Sequence, residues 1–310
     1  MKRNGNFYDP RQGDRAIVTQ SLQLVCEPTE PARTNCFSIY AIESGAGSCW
    51  ADAAQFSFGP QSLLFFVPYQ HIRITPTRPV RGDVLQFHAN FLCVETFHAE
   101  VGCSGILFND PYGSPVVKMN KEARPAIWNL VESIRGEQEQ QALAHGELML
   151  AYLKALLILA TRLKTPSTQG CGSGSGDMRH PLLAPLRELI EANYHTLHSP
   201  ADYAQRLHVT PKTLGRVVRE HLGTTPTELI RNRLLIHAKW QLLHTLKSVK
   251  EVSRELGFAD ELYFSRLFKK ATGCSPTFFR EFETEIRGGS NLSMVSSGAP
   301  ILRSPAAADS

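Results

Sequence analysis

Long apolar runs are missing from these 310 residues. The densest one, Met149 to Ala160, is interrupted by Tyr152 and Lys154. It falls short of the roughly 18 residues a bilayer span needs, so no membrane partner is expected. The first residues carry Lys2, Arg3, Asp9, Arg11, Asp14 and Arg15 and show no apolar core of a secretory signal. Cysteine is scarce: there are seven, an odd number, widely spaced and without a C-x-x-C pair. That pattern argues against a disulfide framework or a structural zinc site and points to a reducing, cytoplasmic setting. A G-x-S-x-G elbow, a P-loop and a Gly-rich dinucleotide fingerprint are all lacking. Nucleophilic and nucleotide chemistry therefore have no carrier, and no catalytic residue, cofactor or metal is assigned.

What is present is a globular chain of two-domain length, 42% hydrophobic and 20% charged. Its net charge of +4 is unevenly placed. His180 to Arg287 holds 16 of the 33 basic and 12 of the 29 acidic residues, and the remainder is balanced at 17 of each. The whole positive excess thus sits in the C-terminal third, which permits a polyanionic partner there.

Texture divides the chain further. Residues 19–120 carry short apolar runs, Phe37 to Ile42, Ser62 to Pro68, His71 to Thr75, Val84 to Phe91 and Val116 to Met119. Turn signals separate them, among them Gly45–Gly47, Gly59-Pro60 and Arg81-Gly82-Asp83. Many strands at this spacing predict an all-β barrel or sandwich. Over 121–164 the period becomes helical, with Ile127, Leu130, Val131 and Ile134 on one stripe. Leu148, Ala151, Tyr152, Ala155, Leu156, Leu159 and Leu163 form a second stripe. It predicts a helical pair that covers the barrel or forms a dimer seam. Residues 165–180, opening TPSTQGCGSGSG, read as a flexible linker, and 288–310, rich in Gly, Ser, Ala and Pro, as a disordered tail.

The segment 181–287 contains an internal duplication. Leu214, Arg216, Gly223 and Pro226 recur fifty positions later as Phe264, Arg266, Gly273 and Pro276. Tyr203, Ala204 and Leu207 match Val252, Ser253 and Leu256. Each copy reads as a short helix, a tight turn and a longer helix, at about 200–222 and 249–272, with a linker helix over 226–245. Ser199-Pro200, Thr210-Pro211, Thr225-Pro226 and Ser275-Pro276 each place a hydroxyl at an N-cap and Pro at the first helical position. Thr225 to Glu228 also fits a capping box. Gly257 can end its short helix in the left-handed region.

The longer helices are amphipathic in register: Leu214, Val217, Val218 and His221 in one, Phe264, Leu267, Phe268 and Ala271 in the other. Their opposite faces carry Lys212, Thr213, Arg216 and Arg219, then Glu261, Leu262, Tyr263, Ser265, Arg266 and Lys269. Such a layout suits DNA. A helix fits the major groove, a guanidinium can grip guanine O6 and N7, and further cations neutralise phosphates. A plain helical bundle with solvated basic faces would share each feature singly but not their registered repetition.

Ala238-Lys239, Leu242-Leu243, Thr245, Val249 to Val252, Gly257-Phe258, Asp260, Tyr263 to Arg266, Phe268 to Lys270, Gly273 and Ser275-Pro276 together resemble the AraC/XylS family of transcription regulators. The resemblance implies a multidomain α+β protein whose C-terminal all-α domain holds two helix-turn-helix modules on one linker helix. It implies promoter DNA and RNA polymerase as partners, usually in activation. Gly215, one residue before Arg216, departs from the pattern by offering no side chain to a base. The N-terminal part resembles the cupin-like sensor barrel of the family at Gly59, Pro68 and His71, at Leu85 to Phe91 and at Leu107 to Asn109. Metal-binding cupins carry a His-x-His group, and no histidine lies between Ile39 and Ser57.

The expectation is therefore a bacterial, cytoplasmic, nucleoid-associated DNA-binding regulator, homodimeric, and controlled by a small-molecule effector. Tyr40, Trp50, Tyr69, His71 and His88 are the effector candidates. His71, His88 and His98 with Cys93 and Cys103 could be imagined as a metal or redox sensor, but packing is the simpler reading. Two alternatives stand beside it: a ligand-independent regulator with a vestigial barrel, and a cupin enzyme with a helical appendage.

Overall fold

A computed structural model describes residues 7–94, 106–108, 110–165 and 180–288. Apart from Thr165, His180 and Gly288, the expected linker and tail lie outside the described residues, as do His98, Cys103 and Asn109.

The N-terminal half is sheet-rich. β1 (Ile17–Leu24), β2 (Phe37–Ala51), β3 (Ala54–Phe58), β4 (Ser62–Phe66), β5 (Ile72–Phe87) and β6 (Val116–Lys118) form one antiparallel sheet. The order is β1-β5-β2-β4-β6, with β3 on the far stretch of β2. Alternation along the strands builds two cores. Ile39, Leu63, Phe65, Leu85 and Phe87 point to one side, and Ile42, Leu64, Phe66, Ile74 and Val80 to the other. β4 is buried along its whole length because both of its faces are covered.

Two turn expectations are corrected. Arg81-Gly82-Asp83 lies inside β5, opposite Gln23 to Ser21 on β1. Gly82 serves close approach there, since a Cβ would fall 1.9 Å from the Ala41 carbonyl oxygen. Gly45–Gly47 lies inside β2, where the pairing with β5 slips register between Ile42 and Gly47. Gly45, at φ 95°, supplies the left-handed backbone of that irregularity. The expected strand to Phe91 stops at Phe87.

α1 (Arg124–Gln140) and α2 (His145–Lys164) pack as a hairpin on the first core. Ile127, Val131 and Ile134 are buried as expected. On α2 the buried stripe is Met149, Leu153, Leu156, Leu157 and Ala160, displaced from the one expected, and Leu148 is exposed. The helix is apolar on most sides, so periodicity alone does not fix which stripe faces inward.

The C-terminal part is all helical: α3 (Leu183–Asn193), α4 (Pro200–Arg206), α5 (Pro211–Leu222), α6 (Pro226–His244), α7 (Val249–Glu255), α8 (Glu261–Thr272) and α9 (Pro276–Ile286). Ser199, Thr210, Thr225 and Ser275 each accept a backbone N–H at the start of their helices. Thr225 accepts from Glu228 N–H at 3.2 Å, but the Glu228 carboxylate is drawn to Arg231 at 2.6 Å. The complete capping box is instead at Ser248 and Glu251, where both reciprocal bonds form.

Candidate nucleic-acid interface

The α4–α5 and α7–α8 pairs are built from equivalent residues. Tyr203 and Ala204 are buried as are Val252 and Ser253, and Leu214 and Phe264 occupy equivalent core positions. The turns differ in one respect. Gly257 follows α7 at φ 79°, whereas His208 holds the equivalent place at φ 55°. Left-handed backbone is costly for a side chain, so the first copy stores local strain that the second avoids. Both longer helices end on left-handed glycines, Gly223 and Gly273.

Packing the apolar stripes inward leaves the opposite faces in solvent. On α5, Lys212, Arg216 and Arg219 are exposed. Arg216 is paired with Glu220 one turn on, at 3.1 Å. Thr213 is half-buried, its hydroxyl 2.9 Å from that of Thr210. On α8, Asp260 caps the first turn through the Leu262 N–H at 2.8 Å. Leu262 and Tyr263 project side by side, 69% and 56% exposed, where burial would ordinarily hide such side chains. Arg266 is exposed and only 3.8 Å from Asp260, while its Nε donates to the Leu262 carbonyl. Glu261 and Ser265 are half-buried, and Lys269 is exposed.

α6 carries both pairs. Leu229, Ile230, Leu234, Leu235, Ala238 and Leu242 are buried along it. Its C-terminal end is tied to α9 by Arg280, which donates to the carbonyls of Leu242 and Lys247 at 2.9 and 2.5 Å. Tyr194, the C-cap of α3, bonds His237 of α6 at 2.8 Å, and burial with Arg233 nearby holds that imidazole below its usual range.

The two domains meet on two of the effector candidates and on residues to which the sequence assigned no role. Tyr69 and His88 converge on Glu283 of α9: the Tyr69 hydroxyl donates to one carboxylate oxygen and His88 Nε2 lies 3.2 Å from the other. Arg287 stands 3.0 Å from the same carboxylate, and Asn90 donates to the Ile286 carbonyl at 2.7 Å. Lys239 reaches across to the Pro68 carbonyl at 3.0 Å, with burial holding its ammonium below the ordinary lysine range. At the ends of the longer helices, the Gln55 N–H donates to the Gly223 carbonyl at 3.4 Å, and Arg33 donates to the Lys270 carbonyl at 3.1 Å.

The five effector candidates do not line one pocket. Tyr69 and His88 are consumed at the domain junction. Tyr40 packs edge-on to Phe66, its phenol pushed up to about 12 by burial. Trp50 is half-buried on β2 between Gln55 and Arg73, and His71 lies on a separate cleft near Arg33. A junction cavity of about 370 Å³ is walled by Val67, Tyr69, Lys239, Trp240 and Phe279. Glu283 escaped notice, and Lys239 was noted only within the family signature, because a lone acid or lysine on an amphipathic helix carries no local sign of a partner from another domain. Among the described residues no three His, Cys, Asp or Glu side chains could share a metal ion, and no helix is long and apolar enough to cross a membrane.

The geometry defines a class: a helical domain exposing two equivalent basic faces, joined to a sheet-rich domain. A helix-turn-helix domain family model matches residues 203–281. The chain is 24% identical over 200 residues to the HTH-type transcriptional activator RhaR of Cronobacter sakazakii, covering 64% of this chain and 69% of that protein. It is 39% identical over 80 residues to the arabinose operon regulatory protein of Escherichia coli, covering 26% of this chain and 27% of that one. The structure of ToxT from Vibrio cholerae aligns over 86% of this chain and 98% of its own at 14% identity, with a TM-score of 0.36. Over its helical third the chain is similar to AraC-type transcription regulators.

Proposed function

We propose that this protein is a sequence-specific, promoter-binding transcriptional activator whose two helix pairs act as twin helix-turn-helix modules. The observation that carries this reading is the registered pair of exposed faces, with Arg216 and Arg266 at equivalent positions on equally capped helices. α6 spans 19 residues, about 28 Å at 1.5 Å per residue, close to one turn of B-DNA. Reading helices carried by one such linker helix can enter successive major grooves on one side of the duplex.

In this reading Arg216 and Arg266 contact base edges. Lys212, Thr213, Glu261, Leu262, Tyr263 and Ser265 lie near the bases, and Arg219 and Lys269 meet phosphates. A small-molecule effector acts from the sheet domain, with room beside Tyr69 and Lys239 at the junction. The protein works as a homodimer through the helical pair and recruits RNA polymerase.

The test is a gel-shift titration on a promoter fragment recovered by genome-wide mapping of bound sites. Arg266→Ala is expected to weaken specific binding by about 1–3 kcal/mol and to relax preference at one base position. Unchanged affinity would remove Arg266 from the interface. A thermal-shift screen of sugars and aromatic acids tests the effector, which fails if no compound moves the transition.

A further inference from the structure

The face of α8 that presents Tyr263 and Arg266 also forms one wall of an open cleft of about 660 Å³. α6 supplies a second wall with Glu228 and Arg231. The rim of the sheet domain supplies the third, with Arg33, Asp52 and His71. Four permanent cations face this space, Arg33, Arg231, Arg266 and Lys270, against two carboxylates. Both carboxylates are already engaged. Glu228 holds Arg231 at 2.6 Å, and Asp52 accepts the His71 backbone N–H at 3.0 Å. Among the described residues, Lys270 makes no ion pair, and the nearest acid to Arg266 is 3.8 Å away. An uncompensated positive charge therefore remains in the cleft, and it is contiguous with the reading face of α8.

Arg33 comes from the other domain. It spends one N–H on the Lys270 carbonyl, a favourable place for a cation at the negative end of a helix. Its Nε–H is buried without a partner, and of the five N–H donors of a guanidinium the outer ones remain to face the cleft. A helix seated in a major groove is flanked on both sides by phosphates, which side chains beside the reading helix ordinarily meet. The open trough running along α8 suits a continuous strand, and its cations are spread over three walls.

We propose that Arg33 is a DNA-backbone contact, so that the sheet domain itself forms part of the DNA-binding surface, with a phosphate of the strand beside α8 seated among Arg33, Arg266 and Lys270. The proposal rests on the DNA-binding reading above and adds to it a contact from outside the helical domain.

The experiment uses the full chain and a duplex obtained by in-vitro selection with that chain. Affinity is measured by fluorescence anisotropy across a series of salt concentrations, on the selected duplex and on a scrambled one. Arg33→Gln is expected to weaken both complexes alike, by roughly three- to tenfold. It should also reduce the slope of log affinity against log salt by about one. Arg33→Lys keeps the charge and is expected to keep the slope, which a purely structural role for Arg33 would not require. Lys270→Gln, at an exposed side chain, provides the same reading should Arg33→Gln fold poorly. Unchanged slopes in Arg33→Gln and Lys270→Gln, with the wild type binding normally, overturn the proposal and leave the DNA-binding reading intact. Recovery of no duplex by the wild type defeats that reading itself. Calorimetric binding of inorganic pyrophosphate that Arg33→Gln abolishes, with the DNA slope unmoved, would assign the cleft to a small anion and also overturn the proposal.

Discussion

His88 Nε2 stands 3.2 Å from Glu283 Oε2, and the two residues belong to different domains. Neither is reachable by solvent, at 0% and 2% exposure. The Tyr8 ring lies against His88 with centroids 4.6 Å apart, so the imidazole is packed against a ring as well as bonded. A buried carboxylate of this kind is tolerable only while its partners remain in place.

Glu283→Ala removes the acceptor while leaving His88, Tyr69 and Arg287 without their shared partner. It is expected to destabilise the chain by about 3–5 kcal/mol. Chemical denaturation followed separately in the sheet-rich and helical parts checks this. A single cooperative transition splitting into two would show that the junction couples the domains.

The same carboxylate sets an acid sensitivity. Burial opposes its ionisation, but the His88 hydrogen bond and the charge of Arg287 outweigh it and hold Glu283 below the usual carboxylate range. The unfolded chain therefore binds this proton more readily than the folded one. The contribution is complete above the ordinary glutamate pKa of about 4.3 and drains away as pH falls below it. Denaturation midpoints measured from pH 7 to pH 3.5 are expected to show that fall, and Glu283→Gln to flatten it.

The two turns predict opposite responses to substitution. In Gly257→Ala the new Cβ meets the His195 carbonyl oxygen at 2.2 Å on left-handed backbone, so a loss of more than about 1 kcal/mol is expected. His208→Gly relieves strain but loosens the unfolded chain, so its net effect is expected to stay within about 1 kcal/mol. Thermal melts of both variants decide the matter.

Helix starts offer a graded pair. Ser248→Ala removes two bonds of the capping-box hydroxyl, the one it accepts from the Glu251 N–H and the one it donates to the Glu251 carboxylate, and is expected to cost about 1–2 kcal/mol. Thr225→Ala breaks one bond, since Glu228 is committed to Arg231, and is expected to cost less. Equal losses in urea denaturation would contradict this ranking.

In the proposed DNA complex Arg216 must leave Glu220 to meet a base. That pair is exposed on both sides, so Glu220→Gln is expected to alter stability by less than about 0.5 kcal/mol. Removal of a competing acid is expected to tighten DNA binding several-fold, most visibly at low salt. Anisotropy titrations check the direction.

The helical third was largely legible because its rules are local. Caps such as Ser199 and Thr210, the left-handed Gly257, and the apolar stripe of Leu214, Val217 and Val218 are each fixed within a few residues of chain. The sheet was harder. Glycine signals a turn and a close backbone approach equally well, so Gly82 and Gly45 suggested breaks in strands that run through them. Charge at the domain junction was not legible at all. Glu283 gains its meaning from His88, almost two hundred positions away, and Arg33 from Lys270. Long-range pairing of single residues leaves no period to read.

Gln55 touches the trailing end of α5, and Arg33 that of α8, from a single lobe of the molecule. A small tilt of that lobe would reach both helices together rather than one after the other. In the proposed DNA-binding reading, the promoter spacing tolerated by the full chain should thus be narrower than two independently moving helix pairs would allow, and an effector that shifts the lobe would act on which spacings are accepted as well as on how tightly they are held.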